Sequence, residues 1–431
     1  MDFSNLDKDE LIAFRRERHQ YPENGWTEFL TTSAIIKKLE EFNIPYLFGK
    51  DIHTKGERYG VPSEEILNAA IKRAISEGAD INLLKKMEGG YTGAVAIIDT
   101  KREGPTTGIR CDIDCNDVEE SKDMSHFPFR EGFSSRHDKL MHACGHDVHT
   151  TIGIGTAKIL MDNLDKLCGK IKIFFQPAEE GTRGGASMAE SGLLDDVDYF
   201  FGGHMWTVGQ PLGEITASTI NESVSYKVDL EFKGTAAHAG MFPEKGCNAL
   251  ASACCAVLNL LAISRHSEGR TRINVGTCQA GTGRNVIPDH ALLKAEVRGI
   301  NEEVNEYMLK RMLTVAKSAA LMYDCAFSYK IAGHSVSAVC DEKMMEKVRK
   351  AASETKGITK VHEFMDMHGG GDDITFLMKK VQQKGGKATF IWIGADTTAP
   401  LHDSSFSLNE DIIPLAVKLY SNLIYDINKA K

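Results

Sequence analysis

Residues 222–234 read ESVSYKVDLEFKG, and Val224, Tyr226, Val228, Leu230 and Phe232 fall at every second position. That period belongs to a strand with one face buried. The run NALASACCAVLNLLAISRH (248–266) has a helical pattern. TRINVGTCQAGT (271–282) and HALLKAEVRG (290–299) return to strand. VNEYMLKRMLTVAKSAALMYD (304–324) is a second helix, and CAFSYKIAG (325–333) a closing strand. The order β-α-β-β-α-β predicts a ferredoxin-like split βαβ unit over 220–333.

On both sides of this unit the signals change to alternating helix and strand. Helices are expected at 7–20, 31–42, 63–77, 150–163 and 183–191, and strands at 92–99, 107–112, 170–175, 198–202 and 211–217. After residue 333 the alternation resumes up to FIWIG (390–394) and a last helix at 411–428. Short apolar runs such as TGAVAII and IKIFF suit strands buried on both faces of a largely parallel sheet. The expected architecture is an α/β domain formed by 1–219 and 334–431, interrupted by the α+β unit 220–333.

Composition narrows the functional classes. Lys and Arg number 51 against 60 Asp and Glu, a net charge of −9, which disfavours a nucleic-acid or anionic-membrane partner. No apolar run reaches the roughly 18–20 residues of a spanning helix. The opening MDFSNLDKDELIAFRRERHQ lacks the features of a signal or transit segment, so a cytoplasmic location is expected. The ten cysteines have no disulfide-framework spacing and read mostly as reduced core residues.

Three chemistry-bearing groups sit just past expected strands. IKIFF runs into QPAEEG with Glu179 and Glu180, VDYFF into GGHMW with His204, and ATFIWIG into ADTTAPLHD with His402. Ligands of open α/β sheets bind outside the carboxyl ends of strands, so these loops are expected to converge. A fourth group, MHACGHDVHTT (141–151), carries His142, Cys144, His146, Asp147 and His149 ahead of an apolar helix. Thiolate, imidazole and carboxylate together are the donors of zinc, and of manganese or cobalt when oxygen is included. Either histidine alone would be read as structural, and the Glu pair alone as a helix N-terminal pair favoured by the macrodipole. Their combination points to metal. Glu179 and Glu180 point in different directions from an extended backbone, so one can bind metal while the other stays a base.

RRERHQYPENGWTEF (15–29), RCDID (110–114), MHACGHD, FFQPAEEGTRGG (174–185), GGHMW, GTAAHAG (234–240), GRNVIPD (283–289) and LHDSSFSLNED (401–411) resemble, in order, the motifs of one metallopeptidase family. It is the amidohydrolase family that includes aminoacylases and hydrolases of indole-acetyl amino acids. The longer stretch at 46–93 and SHFPFREGF (125–133) make the chain most similar to members that hydrolyse p-aminobenzoyl-glutamate. The resemblance implies two divalent metal ions, manganese or zinc. It puts Cys144 between them as a bridge, His146 and His204 on one side, and Glu180 and His402 on the other. Glu179 matches the general acid/base, and Asp112 and Asp114 supporting groups behind the ligands. The inserted unit becomes a lid and dimerisation domain, in which His238 reaches into a neighbouring protomer's active site. Asn285 and Arg298 match residues that hold the substrate carboxylate. The implied substrate is a small N-acyl amino acid. The implied assembly is a homodimer, and a heteromer with a related second chain is a further possibility.

Two other mechanisms fit fewer residues. A thiol hydrolase built on Cys144 with His146 or His149 leaves Glu179, Glu180, His204 and His402 unexplained. A metal-dependent binding protein without catalysis does not account for the base Glu179. The chain departs from its relatives at MHGGGDDITF (367–376) and at Cys115–Asn116, positions that touch none of the expected ligands.

Overall fold

The computed structural model of the chain describes residues 1–430. In chain order the strands are β1 (Tyr46–Phe48), β2 (Ala94–Asp99), β3 (Thr106–Asp112), β4 (Lys170–Gln176), β5 (Tyr199–Met205), β6 (Glu214–Thr216) and β7 (Thr219–Ile220). They continue as β8 (Val224–Lys233), β9 (Thr271–Ala280), β10 (His290–Gly299), β11 (Ala326–His334), β12 (Lys360–His362), β13 (Met365–Asp366) and β14 (Lys387–Ile393). The chain divides into two compact units. One comprises residues 1–220, 338–366 and 373–431, and the other residues 221–337 and 367–372.

The larger unit holds an eight-stranded sheet in the order β1-β2-β4-β3-β5-β14-β6-β12. Its centre, β4-β3-β5-β14, is parallel throughout. These strands are buried along nearly their whole length, as the unbroken apolar runs require. β1 and β2 add antiparallel pairings at one side. The mixed α/β sheet with a parallel centre agrees with the sequence pattern. The helix His146–Asp162 starts four residues before its expected position. Gly145, at φ +82°, makes the left-handed turn into it, a conformation that residues with a Cβ adopt at a cost. Its first turn is polar yet buried, and this hid it from a reading based on apolar periodicity.

The smaller unit is a four-stranded antiparallel sheet, β11-β8-β10-β9, with helices Ala249–Leu261 and Glu302–Leu321 between its strands in sequence. This is the ferredoxin-like order expected from the β-α-β-β-α-β pattern. Val228, Leu230 and Phe232 of β8 join Ala256, Leu293, Val297, Met308 and Met312 in its core. Glu231 and Lys233, the alternate positions, are exposed. Among the described residues no helix is long and apolar enough to cross a membrane.

Candidate active site

The site in the larger unit starts from the end of β3. Arg110, fully buried, donates to Asp112 at 2.6 Å and to Gln176 of β4 at 3.0 Å. Its Nη2 also lies 3.3 Å from Asp373, whose other oxygen accepts the backbone N–H groups of Gly184 and Gly185 at 3.1 and 2.7 Å. Two residues beyond Asp112, Asp114 accepts the N–H groups of Glu179 at 3.1 Å and Glu180 at 2.9 Å. The same carboxylate lies 3.3 Å from Nδ1 of His146. One aspartate thus orients the loop after β4 and the imidazole at the start of the helix 146–162.

The five expected donors come together. Sγ of Cys144, a nitrogen of His146 and an oxygen of Glu180 lie within 4.8 Å of one another. Nε2 of His204 stands 3.3 Å from the Cys144 sulfur. Nε2 of His402 stands 3.2 Å from Glu180. Cys144 and Glu180 therefore link a His146/His204 side to a His402 side. The local settings differ in detail from the sequence expectation. His204 belongs to β5 itself rather than to the following loop, and His146 opens a helix rather than lying on a loop. His402 does lie on a loop, with φ +68° and a side chain 55% exposed, while the other four donors are more deeply enclosed.

The donor set fits metal ions. Nε2 of His146 is buried and has no hydrogen-bond partner, a costly arrangement unless an electrophile receives its lone pair. Nδ1 of His204 donates to the carbonyl of Met205 at 2.7 Å, leaving Nε2 facing the thiol. Burial, with His149 beside it, holds His204 well below the usual imidazole pKa, so the ring is neutral as a ligand must be. Burial would also lower His146, yet Asp112 and Asp114 push it up to about 10. Around Glu180, burial is outweighed by the hydrogen bond from His402 and the charge of His146, which bring the carboxyl down to about 2. These carboxylates demand positive charge.

Other polar side chains nearby are committed elsewhere. His149 approaches Asp112 through Nδ1 at 2.5 Å and accepts the N–H of Met205 at Nε2 at 2.9 Å. Both of its nitrogens are used, so it buttresses β3 and β5 rather than offering a donor. His142 is buried with neither ring nitrogen hydrogen-bonded, and burial keeps its pKa at about 3, a neutral ring. Glu179, the expected base, is 8% exposed, and its Oε2 lies 4.0 Å from Nε2 of His146. It sits beside the donors without belonging to the Cys144–His146–Glu180 group.

The remaining expected residues lie in the smaller unit. His238 is exposed, and its Nδ1 accepts the N–H groups of Gly240 and Met241 at 3.2 and 3.1 Å. The exposed Asn285 is joined to that segment through its carbonyl, which accepts from Ala239 at 3.0 Å. Arg298 on β10 forks onto Glu296 with two 3.1 Å bonds and donates to the carbonyl of Gly369 at 2.9 Å.

Residues 108–426 match peptidase family M20/M25/M40. The chain belongs to this family. As an M20 member it is a metal-dependent amidohydrolase. It is 41% identical over 409 residues to indole-3-acetyl-aspartic acid hydrolase of Enterobacter agglomerans, covering 95% of this chain and 94% of that one. It is 39% identical over 416 residues to a subunit of p-aminobenzoyl-glutamate hydrolase of Escherichia coli strain K12, covering 96% and 95%. Among solved structures it resembles the aminobenzoyl-glutamate utilization protein from Klebsiella pneumoniae, with a TM-score of 0.83, 35% identity and coverage of 97% and 95%.

Some residues that shape this M20 site carry no role in the sequence reading. Glu28, fully buried, accepts the N–H of Ala178 at 2.8 Å and the Thr92 hydroxyl at 2.6 Å. Glu23 accepts the N–H groups of Leu30 and Thr31 at 3.0 and 2.8 Å, and its carbonyl accepts from Cys115. His19 joins Asp147 at 2.8 Å and Glu120 at 2.9 Å. All three belong to the RRERHQYPENGWTEF motif, whose packing of acidic and basic residues around a Pro was the available signal. Asp373 lies in MHGGGDDITF, noted only as a departure.

Proposed function

We propose that this chain cleaves p-aminobenzoyl-glutamate to p-aminobenzoate and glutamate at a dinuclear metal centre. The observation that carries the reading is the convergence of Cys144, His146, Glu180, His204 and His402, with Glu179 beside them. In this reading Cys144 with His146 and His204 would hold one ion, and Cys144 with Glu180 and His402 would hold the other. The likeness to the p-aminobenzoyl-glutamate hydrolase of Escherichia coli supports the substrate. The comparably similar indole-3-acetyl-aspartic acid hydrolase favours a second reading, an indole-acetyl-amino-acid hydrolase with the same mechanism. A general aminoacylase activity is the broader alternative.

Two divalent ions, when bound, would polarise the scissile carbonyl and lower the pKa of the attacking water. Glu179 takes a proton from that water, holds it on its carboxylate, and returns it to the departing amine nitrogen. Asp114 fixes the base by holding the Glu179 and Glu180 amides. His238, from a neighbouring protomer, supplies a hydrogen bond to the developing oxyanion, while Asn285 and Arg298 hold the substrate carboxylate. The thiolate favours zinc, and the imidazole and carboxylate donors also accept manganese.

The helix Ala249–Leu261 exposes Leu250, Cys254, Leu258 and Leu261 at helical spacing, and β9 is a sheet edge. An apolar stripe and an open edge support a homodimer through the smaller unit. The Escherichia coli relative is named as one subunit of its hydrolase, which supports a related second chain as an alternative partner. All ten cysteines are free, in keeping with a cytoplasmic setting.

The deciding experiment compares hydrolysis of p-aminobenzoyl-glutamate, indole-acetyl-aspartate and N-acetyl amino acids by metal-stripped protein refilled with manganese or zinc. Cleavage led by p-aminobenzoyl-glutamate, restored by metal and abolished in Glu179→Ala, is expected. Leadership by indole-acetyl-aspartate would move the substrate to the second reading. Absence of cleavage with metal bound would overturn the proposal for the isolated chain.

A further inference from the structure

Arg183 follows the Glu179–Glu180 pair on the same loop and is partly buried. Its Nε donates to the carbonyl of Glu180 at 2.7 Å, which folds the side chain back onto the loop that carries Glu179 and Glu180. The guanidinium packs over Gly25, where a Cβ would stand 2.2 Å from Nη2 and 2.8 Å from Cζ. The missing side chain at 25 is what makes room for it. Its backbone is fixed from two directions: its N–H donates to Ala178 at 3.1 Å, and its carbonyl accepts from Tyr59 at 3.3 Å.

Among the described residues Arg183 has no acidic partner, although the chain carries a net charge of −9. Arg110 and Arg298, the other guanidinium groups considered for the site, are both paired with carboxylates. The long stretch at 46–93 docks on the loop that carries Arg183. His53 lies 3.0 Å from the Ser187 hydroxyl, and Thr54 donates to the Ser187 carbonyl at 3.1 Å. Trp26 donates to the Tyr59 carbonyl at 2.7 Å, and Arg58 stacks over Trp26 and Tyr91. The loop is thus braced by a segment other than those supplying metal donors.

We infer that Arg183 is a specificity-determining residue that binds the side-chain carboxylate of an N-acyl glutamate or aspartate. The inference rests on the amidohydrolase reading above and adds the partner for the substrate's second anion. A guanidinium already oriented through Nε presents its remaining donors as a planar fork, the geometry that suits a carboxylate. A substrate with an uncharged side chain gains nothing from it.

The test measures kcat/KM for p-aminobenzoyl-glutamate and for p-aminobenzoyl-glutamine, in wild type, Arg183→Gln and Arg183→Lys. Metal content and a thermal melt show that each variant is folded and loaded. Arg183→Gln is expected to lower the glutamate-over-glutamine ratio by about 10- to 100-fold, mainly through KM, with Arg183→Lys between it and wild type. An unchanged ratio overturns the assignment. An equal loss on both substrates also overturns it, since Arg183 would then only shape the loop or hold the α-carboxylate. If metal-loaded wild type cleaves neither but cleaves indole-acetyl-aspartate, the substrate reading has failed, and the same ratio is read against indole-acetyl-asparagine. If it cleaves no acyl-amino acid at all, the amidohydrolase reading fails and this assignment with it.

Discussion

Glu28 accepts the backbone N–H of Ala178 at 2.8 Å, and Ala178 is held at φ +54° immediately before Glu179. A non-glycine residue in the left-handed region costs of order 1 kcal/mol or more, so something must hold it there. Glu28 does so from a helix-capping segment some 150 residues earlier in the chain. Glu28→Gln keeps an acceptor for Ala178 and is expected to retain most activity. Glu28→Ala orphans the buried Ala178 amide and the Thr92 hydroxyl, lowering stability by roughly 2–4 kcal/mol and kcat with it. Thermal melts and steady-state kinetics on the two variants check this. Equal behaviour would show that the contact does not position the base loop.

The adjacent carboxylates should separate cleanly by assay. Glu179→Gln is expected to lower kcat by roughly 10²–10⁴-fold while metal content stays at the wild-type level. Glu180→Gln is expected to lose metal, because it removes a charge from the group shared with Cys144 and His146. Metal analysis beside kinetics reads both. Loss of metal in the first variant would reverse the roles.

His149 is expected to matter for metal without touching it. His149→Phe keeps an aromatic ring but removes the bonds to Asp112 and to the Met205 amide. Metal affinity should fall by roughly 10–100-fold, measured by competition with a chelator. Unchanged affinity would reduce His149 to packing.

Glu120 supplies a pH test away from the donors. Burial would raise its pKa, but hydrogen bonds from His126, His19 and the Ser135 amide hold it down at about 2, against 4.5 for a free glutamate. A depressed carboxyl stabilises the fold above its unfolded pKa, and that contribution fades as pH falls from 4.5 toward 2. Glu120→Gln should therefore lower Tm at neutral pH, by up to roughly 3 kcal/mol in stability. The gap to wild type should narrow steadily as the buffer is taken from roughly pH 5 to pH 3. A gap independent of pH would mean that only shape is lost.

Much of this arrangement was legible in the sequence because it is periodic or strand-bound. The period-2 run of β8 announced the smaller unit, and strands ending in QPAEEG and GGHMW announced where donors would gather. Three features were hidden, each for a physical reason. Helix 146–162 begins with buried polar residues, so hydrophobic patterning placed its start too late. The partners of His149 are a strand end and a backbone amide from distant segments, and spacing along the chain does not encode them. Arg183 carries no signal in the sequence, because a missing ion pair is visible only once every neighbour is placed.

The position of β14 has a consequence for synthesis on the ribosome. This strand lies between β5 and β6 in the larger sheet, yet it is encoded after the whole ferredoxin-like sheet. When His334 has been translated, all four strands of the smaller sheet exist, while residues 335–393 are still to come. At roughly 5–20 residues per second that is a delay of about 3–12 s. A nascent chain can therefore hold all four strands of its smaller sheet while the larger sheet still lacks a central strand, with β5 waiting on one flank for a neighbour not yet made.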